Sequence, residues 1–236
     1  MANTIGFGQG AVNNTNAWGQ GAKVGSSFSN TQSIELDGID DYVDLSSALV
    51  FSGEFSLSVW TKPNTLTNNF AQFVGSETTN TDFIAIFSAQ ALQIKLGNIT
   101  TYITESVGVN DFVTNQWQHV LVTRDASNNV TAYRNGVQFG SSVVNSGTTN
   151  FEVIARRNTT RYSGYLDEIA VWNSDQNANA STIYNSGVPN DISSLSPLSW
   201  WRCGDGDTAP TLTDNGSGGN DGTMNNFSTF STDVPT

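Results

Sequence analysis

SIELDGIDDYVDL (Ser33–Leu45) and, ten residues on, FSLSVWTKP (Phe55–Pro63) are the stretches whose reading decides the fold. The first reads as a short strand, a tight Asp37-Gly38 turn and a second short strand, the pattern of a β-hairpin. In the second, Phe55, Leu57 and Val59 fall on one face and Ser56, Ser58 and Trp60 on the other, the period of two of a half-buried strand. Working outward, WQHVLVTRDASNNVTAYRNGVQFG (Trp117–Gly140) repeats the theme around Asn135-Gly136, and YSGYLDEIAVW (Tyr162–Trp172) adds a long apolar strand.

Short strands are expected near 33–36, 42–45, 54–61, 70–74, 82–87, 91–96, 99–103, 117–123, 129–134, 151–155 and 163–172, with turns at Asp37-Gly38, Gly97-Asn98, Asn128-Asn129 and Asn135-Gly136. That density of strands and turns predicts an all-β protein, an antiparallel β-sandwich (jelly roll). One short helix is expected near Asn177–Tyr184, capped by Ser174 or Asp175 and ended by Gly187 and Pro189.

The 236 residues suffice for one large all-β domain or two small ones, and the 37% hydrophobic content supports a sizeable core. Charged residues are only 13%; Asn, Ser and Thr, about a third of the chain, replace them and suit turns and strand surfaces. The net charge of −12 opposes binding to phosphate backbones, so nucleic acid is not an expected partner. A single cysteine, Cys203, excludes an intrachain disulfide and a cysteine metal site, and no apolar run approaches membrane-spanning length. MANTIGFGQG has neither a basic region nor an apolar one, so no secretory signal is read there.

Three parts are expected. Residues 1–30 form a glycine-rich arm in which GFGQGA (Gly6–Ala11) recurs as WGQGA (Trp18–Ala22), with Phe7 and Trp18 as aromatic anchors that dock on a partner subunit. Residues 31–190 form the sandwich. Residues 191–236 form a strand extension and loop, packing on the sandwich or on a neighbouring subunit, in which adjacent Trp200 and Trp201 point to opposite sides of one strand.

Taken together, Asp37-Gly38 with Asp41-Tyr42-Val43, Phe55–Pro63, the set Trp117, His119, Val120, Thr123, Asp125, Tyr133, Asn135 and Gly136, and the set Gly164, Leu166, Asp167, Glu168, Val171 and Trp172 resemble the concanavalin A-like lectin/glucanase superfamily in its laminin G-like form. The tail WWRCGDGD…DNGSGGNDGT resembles a piece that usually precedes the Asp-Gly turn in that family, here displaced to the end. The arm resembles leaders of structural proteins of tailed phages. The resemblance implies structural core roles for Trp60, Trp117 and Trp172, and for His119. It points to a rim site for a structural calcium at Asp41 and Asp167, with Asp37 and Asp40 as neighbours; no cofactor is required.

Function follows in three ranked expectations. The first is a non-enzymatic virion structural protein, a capsid decoration or fibre-type appendage, made in the host cytoplasm and located on the virion. It would be a homo-oligomer held to other virion proteins by Phe7 and Trp18, without membrane contact, and would display its sandwich towards host surface glycans. The second is a carbohydrate-binding lectin module. The third is a glycoside hydrolase, which needs two carboxylates sharing a face; no such alternating pattern occurs, and Asp167 and Glu168, being adjacent, would point to opposite faces of a regular strand. Arg156, Arg157, Arg161 and Tyr162 mark a candidate ligand or partner surface, suited to an acidic glycan or an acidic neighbour.

Overall fold

The computed structural model describes residues 28–66 and 72–236, so the anchors Phe7 and Trp18 lie outside the described residues. In chain order the strands are β1 (Ile34–Asp37), β2 (Tyr42–Leu49), β3 (Phe55–Pro63), β4 (Gln72–Gly75), β5 (Phe83–Ser88), β6 (Ala91–Leu96), β7 (Ile99–Thr104), β8 (Gln118–Arg124), β9 (Asn129–Arg134), β10 (Val137–Val144), β11 (Phe151–Ile154), β12 (Arg156–Arg157), β13 (Thr160–Arg161), β14 (Ser163–Trp172), β15 (Ser199–Trp201), β16 (Thr211–Leu212) and β17 (Gly222–Asn225). A helix, α1 (Ala180–Tyr184), is flanked by 3-10 turns, and Asp175 Oδ1 accepts the Asn177 N–H at its start.

The strands build the expected antiparallel sandwich. One sheet has seven strands in the order β1-β14-β3-β8-β9-β10, with β15 also beside β14; the other has eight, ordered β16-β17-β2-β11-β4-β5-β6-β7. Leu36, Phe55, Leu57, Val59, Val120 and Val122 from the first face Val43, Phe73, Ile84, Ile86, Ile94 and Ile103 from the second in one continuous core. Each fully buried aliphatic or aromatic side chain there contributes on the order of 1.5–3 kcal/mol.

The tail pairs within its own chain. Strand β17 lies beside β2, and β15 beside β14. Trp201 enters the main core, while Trp200 joins Leu121, Ala170, Trp172, Ala180 and Ile183 in a second cluster outside the seven-stranded sheet.

Two expectations need correction. First, Asp37-Gly38 does not turn a hairpin. Strand β1 pairs with β14 and β2 with β11 and β17, so the turn is an arch that carries the chain from one sheet to the other. The two-residue turns Gly97-Asn98 (φ 52° and 68°) and Asn135-Gly136 (φ 51° and 73°) do close hairpins, because positive φ at both positions matches strand twist. Second, β3 is not half-buried. Its outer residues Ser56, Ser58 and Trp60 are covered by the segment around α1, and Ser56 Oγ donates to the Ser174 carbonyl while accepting from Gln176 N–H.

Candidate functional site

The structure divides the candidate residues among three places. The first is the arch. Carboxylate oxygens of Asp37, Asp40 and Asp41 lie within 4.8 Å of one another. Two of the carboxylates already serve the turn: Asp37 Oδ1 accepts from the N–H groups of Ile39 and Asp40, and Asp41 Oδ2 accepts from Asp37 N–H. Burial, with its acidic neighbours, raises the Asp41 pKa. Calcium needs six to eight oxygens, so these three side chains could hold one only with waters and carbonyls completing the set. Asp167 is not among them. Asp37 pairs with Ser163 and Ile34 with Leu166, so Asp167 lies past the far end of β1, and this member of the expected calcium set is corrected.

The second place is that far end. Strand β14 bulges between Asp167 and Ala170, with Glu168 at φ 44°. A regular pleat would send the adjacent carboxylates to opposite faces; the bulge leaves both buried and the Glu168 charge within reach of Asp167, raising its pKa well above the usual range after burial itself. Glu168 accepts Trp200 Nε1–H at 2.6 Å and Arg202 Nε–H at 3.1 Å, while Asp167 Oδ2 accepts Asn30 Nδ2–H at 2.9 Å. Burial lifts Glu168 to about 7 despite Arg202. Phe28 stacks on Trp200 and lies under the Arg202 guanidinium, and Thr31 bonds Asp205. These contacts close the carboxylates off. On the same side of the sheet His119 is fully buried, bonded through Nε2 to Ser58 Oγ at 2.8 Å and packed against Trp60 and Tyr184; burial holds its pKa down at about 3. Trp60 and Trp172 are buried as expected, whereas Trp117 is half-buried and donates Nε1–H to Asp233.

The third place is the outer face of the eight-stranded sheet. Ile84, Ile86, Ile94 and Ile103 point inward, so Phe83, Ala85, Phe87, Gln93, Lys95 and Tyr102 point outward. Register sets Phe83 beside Lys95, and Gln93 beside Tyr102. Tyr102 is 42% exposed, meets Phe87 edge-on at 5.2 Å and accepts a hydrogen bond from Gln93 at 2.8 Å. The β12–β13 hairpin lies down on this face, which Gly75 permits: a Cβ there would sit 2.5 Å from the Arg156 carbonyl oxygen. The hairpin brings Arg156 and Arg161 over the Tyr42 ring, at 4.4 and 5.1 Å, and Arg157 over Phe83 at 3.9 Å. Arg156 pairs with Glu77 at 3.7 Å. Burial lowers the pKa of Arg157 and of Arg161.

Three of the four expected surface residues are thus gathered, together with aromatics that the sequence reading did not include. Tyr162 is the exception and is corrected: it is fully buried, its hydroxyl 2.6 Å from Thr61 Oγ1, because β14 begins beside it and draws the ring into the core. The missed residues Phe83, Phe87 and Tyr102 carried a signal, since large aromatics alternate there with the inward isoleucines.

Comparison with known proteins agrees with this architecture. A family model described as concanavalin A-like lectin/glucanases superfamily matches residues 37–180. A solved structure described as a candidate carbohydrate binding protein from Bacteroides ovatus superposes with a TM-score of 0.66 at 18% identity, over 88% of this chain and 62% of that one. The chain therefore spans under two thirds of that protein's length. The heptameric SAP-like pentraxin from Limulus polyphemus superposes with a TM-score of 0.52 at 15% identity, over 66% of this chain and 82% of that one. No curated protein matches the chain.

Proposed function

The chain belongs to the concanavalin A-like lectin/glucanases superfamily, and from that membership we propose that it is a non-enzymatic, lectin-like module whose eight-stranded sheet presents its outer face to a carbohydrate. The observation that carries the reading is the exposed Tyr102 ring, set among Phe87, Gln93 and Lys95 on the outer face of the sheet. An aromatic surface flanked by amide and ammonium groups offers a sugar ring an apolar platform and its hydroxyls polar partners. The fold likeness to the Bacteroides ovatus protein, described as carbohydrate binding, supports the class of ligand.

Bond cleavage is not part of this proposal. Glycoside hydrolysis needs two carboxylates flanking the sugar. Asp167 and Glu168, the two buried adjacent carboxylates, lie on the other sheet and are held by Asn30, Trp200 and Arg202. The finer part of the proposal places the module on a virion, as a capsid decoration or fibre-type appendage held by Phe7 and Trp18; its support is the repeated aromatic and glycine pattern of residues 1–30.

A glycan microarray probed with the full chain tests the first part. Binding that Tyr102→Ala abolishes is expected, and the absence of any hit among neutral and acidic glycans would overturn it. Co-sedimentation with purified particles tests the second: Phe7→Ala with Trp18→Ala should release the protein, and unchanged co-sedimentation would remove the docking role.

A further inference from the structure

We propose that the ligand of this face is a carboxylate-bearing sugar and that Arg157 binds its carboxylate. The inference rests on the carbohydrate reading above and adds the charge class of the ligand.

Arg157 is 5% exposed, yet among the described residues its guanidinium makes no hydrogen bond and no ion pair; its recorded contact is the Phe83 ring. Its N–H donors keep only a narrow edge in contact with water and have no acceptor among the described residues. A ring face offsets only part of that desolvation. The same chain shows how it treats an arginine it means to bury for its own sake. Arg124 is fully buried, stacks on Phe55, and gives its N–H groups to the carbonyls of Gly53, Phe51, Asn145 and Gly147. Arg157 has the burial and the ring but not the acceptors.

The neighbouring carboxylates are committed elsewhere. Glu77 faces Arg156, and Glu152 accepts from Glu77 N–H and Asn150 Nδ2–H. Arg161 is likewise incomplete: two of its contacts go to the carbonyls of Asn158 and Thr160, and its buried Nε has no partner. Arg156, Arg157, Arg161 and Lys95 bring four of the nine basic residues of a chain with net charge −12 to one face. A planar carboxylate meets the missing requirement, because it accepts two parallel N–H donors from one guanidinium while the attached ring lies towards Phe87 and Tyr102.

Calorimetry on the full chain tests this, with 3′-sialyllactose and trigalacturonic acid as acidic probes, lactose and maltotriose as neutral ones, and a sulfated carrageenan tetrasaccharide, which carries no carboxylate, as the control anion. An acidic probe should bind at least about tenfold more tightly than its neutral counterpart. Arg157→Lys, which keeps charge but loses the fork, should weaken that binding about tenfold, and Arg157→Met should abolish it with an unchanged circular dichroism spectrum. Equal binding of neutral and acidic sugars, or an Arg157→Lys variant that binds as the parent does, would overturn the inference and leave the carbohydrate reading intact. Binding of the sulfated probe alone would overturn the carboxylate assignment. Binding of no probe would overturn both.

Discussion

The two sheets share one core and differ on their outer faces. The seven-stranded sheet is roofed by α1, the turn at Ser193–Leu195 and the root of the leader, so that Trp172, Trp200 and His119 are buried. Among the described residues the eight-stranded sheet carries only a four-residue pair of strands, β12 and β13, and Tyr102 is 42% exposed. Each face holds a buried charge, and the chain treats the two differently. Glu168 has Arg202 and Trp200. Arg157 has, among the described residues, aromatic neighbours and no hydrogen-bond acceptor. The charge that its own chain completes serves the fold; the one left incomplete beside a polar, aromatic surface is the one we assign to a ligand.

That contrast can be broken in several ways. The strongest test is Arg202→Ala, which strands Glu168 without its cation and should cost about 3–5 kcal/mol in urea unfolding. Gly75→Ala should cost about 1–3 kcal/mol, because the added Cβ meets the Arg156 carbonyl, and it should also lift the hairpin and weaken sugar binding. A smaller and sharper effect is in the pH profile. The folded-state pKa of Glu168 is raised to about 7, so its share of stability is present at low pH and lost as pH rises towards 7. The folded-state pKa of His119 is lowered to about 3, so its share is present above its ordinary 6.5 and lost as pH falls. Between pH 7 and 5 the two oppose each other by about 2 kcal/mol each. Glu168→Gln should therefore expose a fall in stability on acidification, and His119→Gln a rise; parallel profiles for both variants would sink the argument. The smallest effect belongs to the open face, where Arg157→Met and Tyr102→Ala should shift the unfolding midpoint by less than about 0.5 kcal/mol while removing binding. A large loss of stability in either would make that face part of the roofed class.

How legible this was in the sequence depends on how local the deciding contact is. Asn135-Gly136 was readable because a two-residue turn fixes its own hairpin. Asp37-Gly38 carried the same signature and was misread, because its flanking strands choose partners far along the chain: Ile34 pairs with Leu166, and Val43 with Met224. The period of two in Phe55–Trp60 gave the inward set correctly and could not show that α1 would cover the outward one. At the candidate site the clustering of Arg156, Arg157 and Arg161 was visible, but their floor was not, since Phe83 and Tyr102 arrive through sheet register from strands more than fifty residues earlier. Tyr162 differs from Arg161 by one position and so by one side of the strand.

Ser33 and Ser231 exchange both backbone hydrogen bonds, and Asp233 receives Lys62 and Trp117. During synthesis this stitches the first strand to a segment made some two hundred residues later, so a ribosome-bound chain released before β17 would leave β2 with one neighbour missing. Contacts of such sequence separation cost loop-closure entropy before they reward it, so closing this edge of the sheet is expected to be a slow step of folding.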